Sequence, residues 1–355
     1  MNIWGTNIKL SIFGESHGGG IGIVIDGLPS GTRLDTELIE REMERRAPGR
    51  NSVSTSRREP DRPEILSGFV DGVTTGTPLA AVIRNTNTIS KHYEKDLIRP
   101  GHADYTGFTK YGPSHDYRGG GHFSGRITAP LVFAGAIAKQ ILKSRGVTVG
   151  SHILEIGGIR EDKFDSVGVS AELLSSLSKK DFPVIDEVKG EMMREKILNA
   201  KNNKNSVGGI VECAVVGMPP GKGSPFFGSA ESRLSSMMFS VPAVKGIEFG
   251  AGFDFAGMDG KTANDEFYIE GGVIKTCTNN NAGINGGITN GMPVVFDVVI
   301  KPTASIAQTQ RTVDIAKNEN AEIEIHGRHD PCIVHRGAVV VENAAAVAML
   351  DIILD

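Results

Sequence analysis

Ile127-Thr128-Ala129-Pro130-Leu131-Val132-Phe133-Ala134-Gly135-Ala136-Ile137-Ala138-Lys139-Gln140-Ile141-Leu142-Lys143-Ser144-Arg145 reads as a buried helix stopped by Gly146. Its apolar run, 129–138, ends at Lys139 and is too short to span a bilayer. A second long apolar helix is expected at 338–354, with Glu342, Asn343 and Asp351 as its few polar points. Alternating or β-branched runs predict strands at 9–13, 20–26, 79–83, 210–216 and 293–301. Capped or amphipathic helices are expected at 35–46, 170–179, 186–201 and 229–240. Residues 84–123 show no period, and their His, Tyr and Asp content predicts an ordered functional loop. Strands and helices do not alternate regularly, so the expected class is mixed α/β of the α+β type rather than a doubly wound sheet. No linker divides the chain, and 1–355 reads as a single large domain.

The 355 residues are 39% hydrophobic and 23% charged, the balance of a globular protein. A net charge of -4 with 6% aromatics gives neither a basic face nor a stacking platform, which argues against nucleic acid as a partner. Cys213, Cys277 and Cys332 are far apart and form no C-x-x-C, so no disulfide framework or zinc ribbon is expected. Met1-Asn2-Ile3-Trp4-Gly5 lacks the basic-then-apolar start of a signal peptide, and a cytoplasmic protein is expected. Glycine is the outlier: 45 of 355 residues, about 13% against a usual ~7%.

Five histidines sit in or beside glycine- and arginine-rich loops: His17 in Gly14-Glu15-Ser16-His17-Gly18-Gly19-Gly20, His102 in Pro100-Gly101-His102-Ala103-Asp104, His122 in Arg118-Gly119-Gly120-Gly121-His122, and His326 and His329 in His326-Gly327-Arg328-His329-Asp330-Pro331. Glycine lets backbone amides approach a ligand, arginine forks grip carboxylate and phosphate, and histidine titrates near neutrality. The repeated combination predicts one composite pocket for a small anion, with proton transfer inside it. Arg45, Arg46, Arg50, Arg57 and Arg58 fall within fourteen residues. Alone they would be a solvated basic stretch; beside Arg118, Arg126 and Arg328 they point to a ligand with several negative charges.

Other motifs fail. Gly20-Ile21-Gly22 has Ile25 where a dinucleotide fingerprint needs its third glycine. Gly221-Lys222-Gly223-Ser224 lacks the upstream glycine of a P-loop and has Gly223 where Ser or Thr should follow the lysine. His326, His329 and Asp330 are open to two readings, metal ligands or hydrogen-bonding braces; Arg328 among them would repel a cation and favours the second.

Five segments, in order, resemble chorismate synthase over nearly the whole chain. They are Gly14-Glu15-Ser16-His17-Gly18 running on to Asp26-Gly27-Leu28-Pro29; Arg99-Pro100-Gly101-His102-Ala103-Asp104; Tyr117-Arg118-Gly119-Gly120-Gly121 through Ser124-Gly125-Arg126 to Gly135; Lys301-Pro302-Thr303; and Gly327-Arg328-His329-Asp330-Pro331-Cys332 to Glu342. The resemblance implies two antiparallel sheets sandwiched with helices, usually in a homotetramer. It implies an anti-1,4-elimination of phosphate from 5-enolpyruvylshikimate 3-phosphate to give chorismate, requiring reduced FMN without net redox. By the same analogy His17 would protonate the reduced flavin and His102 the leaving phosphate. Asp330, relayed by Ser16 and Ser124, would help the flavin accept the ring proton. Arg46, Arg118, Arg126 and Arg328 would hold substrate anions. Flavin contacts would fall at His122, Phe123, Ser124, Pro242, Ala243, Gly286, Lys301, Pro302, Thr303, Ala304, Ser305 and Arg328, and Arg46 also matches a position linked to NADP in some members. The implied enzyme is monofunctional, with flavin reduced by an external reductase and NADPH as an indirect reductant.

The chain departs from the family pattern at His122-Phe123, Pro242, Ala304 and Ser52, which puts individual side-chain contacts there in question. Backbone-amide contacts would survive, except at Pro242, which has no N–H. His326 and His329 are expected only to brace their loop. Two other functions compete: a metal-dependent phosphohydrolase, which needs a histidine–carboxylate metal centre, and a non-catalytic flavin or phosphometabolite-binding module, which needs no titrating pair.

Overall fold

The computed structural model describes residues 2–49, 60–86, 93–325, 327 and 329–355. Two five-stranded antiparallel sheets enclose a layer of helices. The first sheet runs in the order Ile3–Trp4, Lys9–Gly14, Gly20–Asp26, Leu79–Arg84, Pro63–Ser67. The second runs Val244–Phe249, Val294–Ile300, Gly209–Val216, Thr148–Ile156, Ile159–Arg160. The sandwich expected from the resemblance is therefore present.

Between the sheets lie the helices Thr128–Ser144 and Val334–Ile353, which pack on each other. The first also touches the strands Gly20–Asp26 and Leu79–Arg84; the second touches Thr148–Ile156 and Gly209–Val216. Both lack a polar face because both are enclosed, and each fully buried Val, Leu or Ile contributes about 1.5–3 kcal/mol. Their backbones come close at Gly135, where a Cβ would stand 2.3 Å from Asn343 Cβ. One apolar core runs from Ile8, just before the strand Lys9–Gly14, to Ile353 in the last helix.

The polar points of the last helix are structural ties. Asp351 Oδ1 accepts from the backbone N–H groups of Thr6, Asn7 and Ile8 at 3.0, 2.6 and 2.8 Å, fixing the start of the first sheet. Glu342 is wholly buried and binds Arg45, Lys139 and Ser151 Oγ, while Asn343 Nδ2 donates to Glu42 Oε2 at 2.7 Å. Burial alone would raise Glu42, but Lys139, Arg45 and Asn343 override it and hold the carboxyl at about 2.

Helix boundaries fall within one or two residues of expectation wherever a cap is present: Asp35, Ser170, Asp186 and Ser229 each accept from amides of the first turn. Residues 84–123 need correction. They contain a helix, Asp104–Tyr111, and a 3-10 segment, Arg118–Phe123, rather than one irregular loop. The last helix begins at Val334 rather than 338, because Arg336 and Gly337 interrupt the apolar pattern but not the backbone. No helix among the described residues is long and apolar enough to cross a membrane.

Candidate active site

Gly119, Gly120 and Gly121 all have positive φ, 59°, 83° and 52°. This turn brings together His17, Ser16, His102 and Ser124. A Cβ on Gly119 would stand 2.4 Å from both Cδ2 and Nε2 of His17 and 2.7 Å from Ser16 Oγ; one on Gly120 would stand 3.0 Å from Cε1 and Nε2 of His102 and 3.8 Å from Ser124 Cβ. The two imidazoles therefore rest against consecutive glycines, one from each of two remote loops. A side chain at either position would displace a ring, which is the physical reason for glycine there.

Further hydrogen bonds lock these loops together. Ser16 Oγ donates to Arg118 O at 3.2 Å and to Gly119 O at 3.0 Å, and Ser16 N donates to Gly121 O at 3.1 Å. His122 Nδ1 binds Gly14 O at 2.8 Å. Ser124 Oγ accepts from Arg126 N at 3.3 Å at the head of the segment Gly125–Ile127. The hydroxyls proposed as a relay are thus engaged with the glycine turn and the segment after it. Asp330 is ion-paired to Arg336 of the last helix, whose positive charge also acts on Arg46.

The arginines divide by environment. Arg46 and Arg126 are buried and share one carboxylate: Arg46 Nη1 is 2.5 Å from Asp61 Oδ2, and Arg126 Nη1 binds Asp61 Oδ1. Arg46 also donates to Gly125 O at 3.1 Å, and Arg126 Nε donates to Asn85 Oδ1 at 2.6 Å. Asn85 in turn donates to Glu15 O and Gly18 O, both at 2.9 Å, so this cluster braces the His17 loop from behind. Burial first, and then the facing Arg336 and Arg126, outweigh Asp61 and lower Arg46 to about 10. Among the described residues, two guanidiniums share one carboxylate, and the charge of Arg336 acts on Arg46 as well. Arg118 differs: paired to Asp116 at 2.8 Å, its side chain is 43% exposed against 5% for Arg46 and Arg126, so an incoming anion reaches Arg118 first.

The expected flavin segment partly joins this centre. A Cβ on Gly101, beside His102, would be 3.8 Å from Lys301 Nζ and 3.7 Å from Ala304 Cβ, and Lys301 Nζ donates to Gly101 O. Lys301 N donates to Ala243 O at 3.0 Å, bringing Pro242 and Ala243 alongside; Ala243 has φ 74°, strained for a residue with a side chain. Ser305 is buried, and Pro302 lies against Gly208. The Phe123 ring packs on Gly107 and Tyr111 of the helix Asp104–Tyr111. Gly286 sits in a hairpin turn whose next residue, Gly287, meets Ser229. Arg50, Ser52, Arg57, Arg58, His326 and Arg328 lie outside the described residues.

Sequence reading missed Asp61, Asn85, Tyr93 and Arg336. Asp61 had only the flanking prolines of Pro60-Asp61-Arg62-Pro63 as a signal of an ordered turn, and it adopts φ 47°. Lys222, of the rejected P-loop, donates to Asp355 O at 2.9 Å. Among the described residues no three His, Cys, Asp or Glu gather as metal ligands.

Fold and site together define an enzyme of mixed α/β class that binds a multiply anionic small molecule and moves protons. A family model described as chorismate synthase matches residues 8–354. The chain is 45% identical over 353 residues to chorismate synthase of Pyrococcus abyssi, covering 99% of this chain and 97% of the relative. It is 42% identical over 355 residues to that of Dehalococcoides mccartyi, covering 99% and 96%. A solved structure described as a crystal structure of chorismate synthase superposes with a TM-score of 0.76 at 27% identity, covering 98% of this chain and 92% of that one. The chain belongs to the chorismate synthase family.

Proposed function

We infer that this chain eliminates phosphate from 5-enolpyruvylshikimate 3-phosphate to give chorismate. The observation that carries the reading is the pair of imidazoles on consecutive positive-φ glycines, with two buried arginines sharing one carboxylate, in a chain matched end to end by that family. The substrate carries a phosphate and two carboxylates. Arg118 meets it first at the surface, and the field of Arg46 and Arg126 favours the anion at depth. In the overall step the carbon–oxygen bond to phosphate breaks, a ring C–H breaks, and a new C=C forms with no net redox. His102, whose ring rests against Gly120, would give a proton to the departing phosphate through Nε2, which lowers the charge that must leave. His17, held edge-on to Tyr93 and resting against Gly119, would serve as the second proton donor. Asp330 is proposed as the remaining carboxylate of the reaction, and Ser16 and Ser124 act by fixing the loops.

The family implies reduced FMN, and the residues fit an anionic cofactor. Among the described residues, Thr303 Oγ1 is buried without a hydrogen-bond partner and no atom comes within 4 Å of a Cβ placed on Gly286. Burial, then the neighbouring Lys245, pull the Lys301 ammonium below its usual range, a penalty that a phosphate would relieve. Lys301, Thr303 and Ser305 would hold the phosphate end, with Ala243 and His122 nearer the ring. Bound reduced flavin supplies electron density transiently and recovers it. A homotetramer, an external flavin reductase and NADPH as indirect reductant belong to the same proposal.

The test is anaerobic turnover with dithionite-reduced FMN, following phosphate and chorismate together. Absence of phosphate release overturns the reading. His17→Ala and His102→Ala should retain substrate binding and lose turnover on the order of 10²–10⁴-fold, the usual weight of a general acid; turnover within threefold of wild type in either would remove that residue from the mechanism.

A further inference from the structure

Asp104 lies two residues beyond His102, at the first position of the helix Asp104–Tyr111. A carboxylate there would ordinarily serve the helix start. This one does not: the helix N-terminus has no side-chain cap, and both Asp104 oxygens turn back onto Arg99 and His102. Oδ2 accepts from Arg99 Nε at 2.7 Å and Arg99 N at 3.0 Å; Oδ1 accepts from Arg99 Nη2 at 2.7 Å and lies 2.7 Å from His102 Nδ1. Arg99 Nη2 is also 3.2 Å from that ring nitrogen. The two contacts demand opposite tautomers. The shorter one, to an acceptor-only carboxylate, places the ring proton on Nδ1.

We propose that Asp104 is a positioning residue: it holds His102 as the Nδ1–H tautomer, so that Nε2 is the nitrogen presented to Gly120 and the pocket. Burial works against the Asp104 carboxylate, but its hydrogen bonds to His102 and then to Arg99 outweigh it and hold the carboxyl well below the usual range. The same device links the two proton-carrying rings. The Arg99 guanidinium lies over the Tyr93 ring, 5.5 Å from its centroid, and Tyr93 meets His17 edge-on at 5.2 Å. The charged or titratable groups around His102 are Arg99 and Asp104 from its own segment, Lys301 from the end of the strand Val294–Ile300, and His17 across the glycine turn.

The proposal rests on His102 as the proton donor, and its test separates the two ideas. Long-range ¹H–¹⁵N spectra of the ¹⁵N-histidine-labelled chain, with His102 identified by His102→Ala, should show Nδ1–H above the ring's titration in wild type. An Nε2–H ring there overturns the proposal whatever the activity. Asp104→Asn puts an amide donor against Nδ1. It should shift the ring to Nε2–H and lower kcat on the order of 10²–10⁴-fold with KM within threefold, as loss of a tautomer-fixing carboxylate does elsewhere. Unchanged kcat in a folded Asp104→Asn chain overturns it; full turnover in His102→Ala instead removes His102 as the acid and leaves the tautomer result standing. If Asp104→Asn does not fold, the wild-type spectrum alone decides.

Discussion

A methyl group on Gly119 would collide with the very ring the site needs in place. The φ of 59° costs an L-residue roughly 1–2 kcal/mol, and the 2.4 Å approach to His17 adds a displacement of the imidazole. Gly119→Ala should therefore lower the melting temperature modestly and kcat by on the order of 100-fold, since a shift of about 1 Å in a reacting group has that effect. Gly125→Ala is the control: no atom of the described residues lies within 4 Å of its Cβ, and it should behave as wild type in the same steady-state assay. Equal activity in the two variants would mean that His17 is not set by this contact. The glycine–histidine loops and the arginines that gather near them were legible from residue types. Asp61 was not: one buried carboxylate serving Arg46 and Arg126, fifteen and sixty-five residues away, leaves no mark in local sequence.

At the scale of elements, the last helix ties the termini of the fold together. Asp351→Ala would strand the N–H groups of Thr6, Asn7 and Ile8 and release Arg233, costing about 3 kcal/mol. Hydrogen exchange should then show protection lost first in Ile3–Trp4 and the start of Lys9–Gly14, while the second sheet keeps its own. Uniform loss across both sheets would contradict this role. Elements with a single strong signal were readable: the apolar helices, the capped helices and the β-branched run at Val294–Ile300. The strand Thr148–Ile156 was missed because both its faces are covered, so Gly150, Ser151 and His152 break any alternation. The helix Asp104–Tyr111 was missed because eight residues with Gly107 and two threonines form a helix only with tertiary support.

Across the whole molecule, buried titratable groups set the pH range of stability. His335 is buried and lowered to about 4 by desolvation and then by Arg336, so its contribution is complete above 6.5 and lost as pH falls towards 4. Asp297 sits in a cross-strand row with His152, Glu212 and Glu248. Burial, with Glu212 and Glu248 adding, raises it to about 6 against the pull of Lys163, so the native state gains as pH falls from 6 to 3.8. The two effects, each on the order of 3 kcal/mol, run in opposite directions over nearly one window. Chemical denaturation should therefore show a plateau between pH 6.5 and 4.5. Below it stability falls, as Glu42 loses a contribution that is full above 4.5 and gone near 2. In Asp297→Asn the cancellation disappears, and stability should decline from pH 6.5; a plateau that persists in that variant would refute the balance. On the alkaline side, desolvation works against His152, but Glu161 and Glu212 raise it, and its contribution is lost as pH rises through that raised value.

Sequence alone determined the class of fold, the two enclosed helices, the gathering of histidines, glycines and arginines that points to an anion-binding site, and the family. These are written in contiguous residues, because a helix period, a cap or a glycine turn acts over a few positions. Only the tertiary structure decided that His17 and His102 lie against neighbouring glycines, that Asp104 turns onto Arg99 and His102 rather than onto the helix start, and that Arg46 and Arg126 share Asp61. Those relations depend on through-space distances between segments brought together by burial of the core, and nothing in the order of residues along the chain fixes such a distance.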